Sequence, residues 1–456
     1  MSALRAPKQA PITENTVTTQ LRTIQTARNL EGSKFAPITP VESSSRLDLI
    51  PPIMKTTTRV NTPDASSGII HVVQTRFMQG QADLLDLGFA RLALFEAFCL
   101  PTILSQTNTN FLWIIRTDPH LHPAILDKMI KLIDGRQNFF LIGSNHNPEG
   151  FGRSENGPFD HFLQIETNIT EAKAIVYSGN ITLLEDAYEK STSGGVLLET
   201  RLDADDGVHL NLIESIQEEA KKYLTASDSK ENVNALWRMW CVHSNIEWHP
   251  SNPYPDSPDI RASIIKNGNK SIEEGYLVMY ADPNLCITPG LTFGYGAGAG
   301  RSSIGDRIRH DQIMKKIMKC GQKSKGSDKI IEVNCVSRLA SLVPGAVRTR
   351  TTTSAGMQNV FTGDEEMDKN VGLKKKTKNE QLIQQYFEQN KLWNGLRTFF
   401  SISKESAMDA RWLIIDRSKE IAEDNLRGQC TKGHWCKERA QILLQKLADA
   451  PSVQRI

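Results

Sequence analysis

Short β-branched runs alternating with amphipathic stretches predict an α/β chain whose mostly parallel sheet is covered on both faces. Three observations carry that reading. Ile69–Thr75 and Phe111–Ile115 read as strands with a helical pattern between them, a further strand is expected at Phe139–Ile142, and the apolar run Val196–Leu198 leads directly into Asp203-Ala204-Asp205-Asp206. In such sheets ligands sit at the carboxyl ends of the strands, so polar residues there are the first site candidates.

Taken in order, the first strand starts abruptly after Gly68 and ends at Arg76. Leu85, Phe89, Leu92, Phe95 and Cys99 then recur at three- and four-residue intervals on one helical face, until Pro101 bends or restarts the helix. The second strand ends in Arg116 and Asp118, closing a β-α-β unit. Pro123 opens another helix, with Ile125, Met129 and Leu132 as its apolar stripe, ahead of the strand at Phe139–Ile142.

Composition sets the limits around these elements. The 456 residues are 39% hydrophobic, enough for one large catalytic domain with extensions. A formal net charge of +2 gives no global reason to expect nucleic acid or an anionic membrane as partner. Seven scattered cysteines are unlike a disulfide framework and read most simply as reduced thiols. No uninterrupted apolar run approaches the ~20 residues of a membrane span, and no secretory signal core opens the chain. A cytoplasmic location is the default, with an organelle or secretory compartment open if the N-terminus is a transit segment or incomplete. Residues 1–66, rich in Ser, Thr and Pro, are expected to form a disordered leader.

Chemistry concentrates in Glu199-Thr200-Arg201-Leu202-Asp203-Ala204-Asp205-Asp206-Gly207. Carboxylates crowded after a strand repel one another unless a cation or solvent relieves them. Hard oxygen donors suit Mg²⁺ or Mn²⁺, which can also accept diphosphate oxygens and neutralise a departing nucleoside diphosphate. A calcium loop fits at Asp203, Asp205 and Glu214, but Val208 stands where glycine is needed. A phosphoryl-transfer site, or an acidic turn capping a helix from Leu210 to Leu224, are the other readings.

His71–Phe77, Arg91–Glu96, Leu100–Thr107, Phe111–Trp113 and Arg201–Asp206 together resemble the putative rhamnosyltransferase family, and a later segment, Arg348–Met357, looks like part of its larger members. The resemblance implies a GT-A-like sheet that binds a nucleotide sugar, with flanking helices and an Asp-x-Asp motif holding Mn²⁺ or Mg²⁺. By that analogy Arg76, Arg116, Asp118, Arg201 and Asp203 bind the donor, a dTDP- or UDP-linked rhamnose in the family's sense, and Asp203, Asp205 and Asp206 form the metal cluster. Which pair of the triplet meets the ion stays open. The late His310 is the candidate further ligand, and Asp311 the candidate general base for a hydroxyl acceptor.

Downstream, Trp237, Trp240 and Trp248 read more readily as core than as a sugar platform. Tyr276–Ala281 and Leu285–Ile287 suggest a hairpin-like strand pair around Asp282-Pro283-Asn284. The glycine-rich stretch Phe293–Arg301 is a gating loop or a flexible linker. Its glycine spacing fails a dinucleotide fingerprint, and no good strand is expected immediately before it. Cys430, His434 and Cys436 supply only part of a closed zinc site, so a small disulfide loop or two thiols suits them better. The expected organisation is a leader over 1–66, a glycosyltransferase domain over 67–357, a basic linker over 358–378 and a helical extension over 379–456. A noncatalytic nucleotide-sugar or carbohydrate-binding protein of the same fold is the alternative to the enzyme.

Overall fold

A computed structural model describes residues 68–144, 159, 174–225, 237–250, 276–281, 286–296, 320–323, 330–333, 335–353, 389–429, 437, 440, 441 and 443–445. Strand β1 (Ile69–Arg76) is buried along all but its last residue, because its apolar and β-branched side chains face covering layers on both sides. Helix α1 (Leu85–Leu104) follows, with a π-helical turn at Phe95–Cys99. It is long and apolar enough to pass for a membrane span by composition, yet most of it is buried inside the protein. Next come β2 (Leu112–Thr117), α2 (Pro123–Ile133) and β3 (Phe139–Ser144). Pro123 fits the first turn of α2, and the ring of His122 accepts the Ala124 amide at 3.3 Å as its cap.

Strand β4 (Ala174–Ser178), α3 (Ile181–Thr192) and β5 (Val196–Arg201) complete the first half. The second half holds β6 (Gly207–Val208), α4 (Leu212–Leu224), β7 (Trp237–Cys241), β8 (Ser244–His249), β9 (Tyr276–Ala281) and β10 (Leu291–Tyr295). Strands β11 (Cys320–Lys323), β12 (Ile330–Val333), β13 (Val336–Arg338) and β14 (Ala346–Thr349) follow, then α5 (Gln389–Phe400), α6 (Lys404–Asp416) and α7 (Ser418–Asp424).

The main sheet runs β13-β7-β10-β5-β1-β2-β3-β4. Its centre, β5-β1-β2-β3, is parallel, whereas β4 pairs antiparallel with β3 at one side and β10 inserts antiparallel between β5 and β7. The chain therefore builds outward from β1 through β2 to β3 and then returns to place β5 on the other flank of β1. That reversal makes the carboxyl ends of β1 and β5 a topological switch point. A smaller sheet, β6-β14-β8-β9, stands beside it, and its first strand begins one residue after Asp206.

Several expectations change on this scaffold. The apolar stripe of α1 widens into burial of most of the helix: Leu87, Ala90, Leu94, Ala97 and Phe98 are inside along with Leu92, Phe95 and Cys99, while Leu85 and Phe89 are part-buried. The reason is that α6 and α7 pack on the face of α1 that would otherwise meet water. Trp240 and Trp248 are fully buried and Trp237 nearly so, which makes them core; the Trp248 ring lies 4.7 Å from that of Phe98. Strand β9 pairs with β8, and Cys286–Ile287 is not a strand, so the pairing expected around Asp282-Pro283-Asn284 does not form. A strand does precede the glycine-rich stretch, because Phe293, Gly294 and Tyr295 belong to β10. Gly294 is required there, since a Cβ would stand 2.5 Å from the Trp240 ring. Cys241 and Cys286 form a disulfide rather than free thiols. The insertion of β10 beside β7 brings their segments together, a contact that cysteine spacing does not reveal.

Candidate active site

The acidic segment is held in place by main-chain bonds to its neighbours. The Leu202 amide donates to the Gln74 carbonyl of β1 at 3.0 Å, and Gly290 donates to the Arg201 carbonyl at 2.9 Å. The Asp206 amide bonds the Asp203 carbonyl at 3.1 Å, closing a turn that gathers the three carboxylates. Gly207 must then pass directly over α1, where a Cβ would come within 2.9 Å of Thr102. One Asp206 oxygen accepts the Thr349 amide of β14 at 3.1 Å, so the small sheet grips the acidic turn from the far side.

Electrostatics differ across the triplet. Asp206 is buried, while Asp203 and Asp205 are partly exposed. Loss of water and the neighbouring carboxylates push the Asp205 and Asp206 carboxyls above their usual range. Arg91 and Arg348 act against this at Asp205, as Arg348 and Arg350 do at Asp206. The field reaches α1: burial, then Asp206, Asp205 and Asp203, push the buried Cys99 thiol well up, leaving it chemically quiet. Arg350 is itself ion-paired with Glu247 of β8, whose carboxylate stands 3.5 Å from His249. Burial alone would raise the Glu247 pKa, but Arg350 and His249 outweigh it and hold the carboxylate ionised.

At the mouth, Arg76 ends β1 and Arg201 ends β5, one on each side of the switch point, and both are exposed. Reduced hydration and repulsion from Arg201 lower the Arg76 pKa, with Asp203 opposing. Arg201 also reaches Asp203 at 3.4 Å. Arg116 is buried and pairs in register with Arg76 across β1 and β2. Asp118 is buried as well, but its two oxygens accept the Gly80 amide at 3.0 Å and the His120 amide at 2.8 Å. It therefore fastens the loop after β1 to the end of β2. His310 and Asp311 lie outside the described residues.

One residue of this neighbourhood carried the resemblance without being given a site role. Arg91 of α1, flanked in sequence by the buried Ala90 and Leu92, interacts electrostatically with Asp205 and Asp203. A charged residue inside an apolar helical stretch was the available signal. As a metal centre the described residues are incomplete: among them no group of three or more ligating side chains converges. The donor chemistry, hard carboxylate oxygens in part-buried positions, fits a divalent ion held by one or two of them, with phosphate and water completing the shell.

Residues 88–149 match the family model described as Putative rhamnosyl transferase. The match supports assignment of the chain to that family, and the family points to glycosyl transfer. The matched segment spans most of α1, then β2, α2 and β3, and so contains Arg91, Arg116 and Asp118. Arg76 and the acidic segment lie outside the matched residues. No curated protein matches the chain.

Proposed function

We propose that the protein is a glycosyltransferase of GT-A type that moves a sugar, L-rhamnose in the family's sense, from a nucleoside diphosphate to a hydroxyl acceptor. The observation that carries this reading is the convergence of Arg76, Arg201 and the Asp203–Asp206 turn on the switch point between β1 and β5. Exposed guanidinium groups there suit an anionic diphosphate, and carboxylates beside them suit the ion that accompanies it. Bound Mn²⁺ or Mg²⁺ would supply charge neutralisation for the leaving diphosphate. Asp205 and Asp203 are the residues best exposed to hold it, while Asp206 fixes the turn against Thr349. Arg76 and Arg201 orient the diphosphate, and Arg116 and Asp118 shape the floor and the loop beside it. In the same reading His310 adds a ligand and Asp311 takes the acceptor proton.

The test is binding and hydrolysis of a panel of nucleotide sugars, both rhamnose donors included, with Mg²⁺ or Mn²⁺. Wild type should turn over one donor selectively, and Asp205→Asn should lose about 100-fold or more, the scale for removing a group that stabilises developing charge. Binding without turnover under every acceptor tried would favour the noncatalytic binding protein. No nucleotide binding by folded protein with metal present would overturn the proposal.

A further inference from the structure

Arg91 occupies an unusual position for a guanidinium near an acidic segment, because most of its donors are committed to two loops. Nε and Nη2 donate to the Thr353 carbonyl at 3.3 and 3.0 Å, and Nη1 donates to the Gln81 side-chain oxygen and to Met78 Sδ at 3.3 Å. The two loops it holds are anchored elsewhere too. Residues 78–81 are tied to the end of β2 through Gly80 and Asp118, and to the end of β3 through Gln79, which donates to the Ser144 carbonyl at 2.9 Å. Residues 351–353 are tied to the C-terminal helices through Asn425, which donates to the Thr352 carbonyl at 2.7 Å. Arg91 also carries a full charge, which interacts electrostatically with the Asp205 and Asp203 carboxylates.

We propose that Arg91 is a positioning residue: it clamps the 78–81 and 351–353 loops around the acidic turn and serves as the turn's tethered countercharge while no metal is bound. This rests on the metal reading of Asp203 and Asp205 above. With four of its five N–H groups holding two loops, Arg91 contributes mainly rigidity. Its positive charge relieves carboxylate repulsion in the metal-free protein and opposes an incoming divalent ion, so it sets the affinity of the site as well as its shape.

The two roles separate in substitution. Arg91→Gln removes the charge and most of the clamp, whereas Arg91→Lys keeps the charge and loses the fork that spans two loops. Mn²⁺ alone is titrated into the full chain, and amide exchange is followed on the metal-free proteins. Arg91→Gln should bind Mn²⁺ about three- to ten-fold tighter, the effect of one unit charge across a partly screened site. Arg91→Lys should stay within about two-fold of wild type by the same charge argument. In both variants residues 78–81 and 351–353 should exchange faster together. A residue with a merely structural role would weaken metal binding when removed, so unchanged or weaker Mn²⁺ affinity in Arg91→Gln overturns the countercharge role. Loosening of only one loop, or of neither, overturns the clamp. If wild type binds no Mn²⁺, the metal reading fails and the countercharge role with it, and the exchange arm still decides the clamp.

Discussion

His71 illustrates how a single side chain records the fold around it. It sits in β1 with its ring buried, Nε2 sharing a 2.7 Å hydrogen bond with Thr200 and Nδ1 lying 3.4 Å from the Gln217 amide nitrogen. Burial lowers its pKa from 6.5 to about 3, so the folded protein keeps it neutral. The unfolded chain takes up a proton below pH 6.5 and the folded one does not until about pH 3. Stability from this site is therefore intact above 6.5 and falls as the pH drops through that window, by about 1 kcal/mol per pH unit. His71→Asn should cost stability at pH 7 and flatten the slope between pH 6.5 and 5, which urea midpoints at stepped pH would show; an unchanged slope would contradict the buried neutral ring. At this scale the sequence disclosed what strand ends disclose. Arg76, Arg116, Asp118, Arg201 and the acid triplet were legible because they terminate apolar runs. The clasping of backbone amides by Asp118 and the charge of Arg91 were not, because both depend on loops that meet only in three dimensions.

Among the elements, α1 has the most to explain, being apolar on nearly every side. The explanation lies in α6 and α7, and their docking has a polar pin. Asp424 is 1% exposed and accepts the Leu87 amide at 3.0 Å near the start of α1, while Arg427 closes over it as an ion pair. Asn425 beside it holds Thr352. Removing the carboxylate leaves a buried donor unsatisfied, so Asp424→Ala should cost about 2–3 kcal/mol in urea unfolding, and Asp424→Asn, which keeps an acceptor oxygen, clearly less. Amide exchange should loosen in α6 and α7 before the sheet. Equal costs for the two variants would show that the pin is not the amide bond. Local periodicity announced β1, β2, β3 and the helices between them because each is amphipathic or apolar over its own length. It could not announce that β10 inserts between β5 and β7, or that β9 pairs with β8, since those pairings join distant segments through register alone.

At the scale of the whole molecule the question is whether the C-terminal helices are an addition to the domain or part of its core. Leu392, Trp393, Leu396, Phe400, Ile402, Ile414 and Ile421 are buried in the same contiguous cluster as β1, α1 and β5. The Phe399 carbonyl accepts the Leu210 amide at 3.0 Å, and its ring stacks on His209 with centroids 5.6 Å apart, just beyond the acidic turn. Each large apolar side chain in such a cluster contributes roughly 1.5–3 kcal/mol, so their loss together is on the order of the 5–15 kcal/mol that holds an ordinary domain folded. A chain cut after Met357 would also uncover α1, whose exposed face would then be a large apolar patch. Such a protein should be insoluble, or should keep its far-ultraviolet helical signal while losing near-ultraviolet signal and a cooperative melt. Adding residues 379–456 back in the same chain should restore both. A truncated protein that melts cooperatively close to the full-length midpoint would show that the α/β domain closes its core without them, and that α5 to α7 ride on its surface.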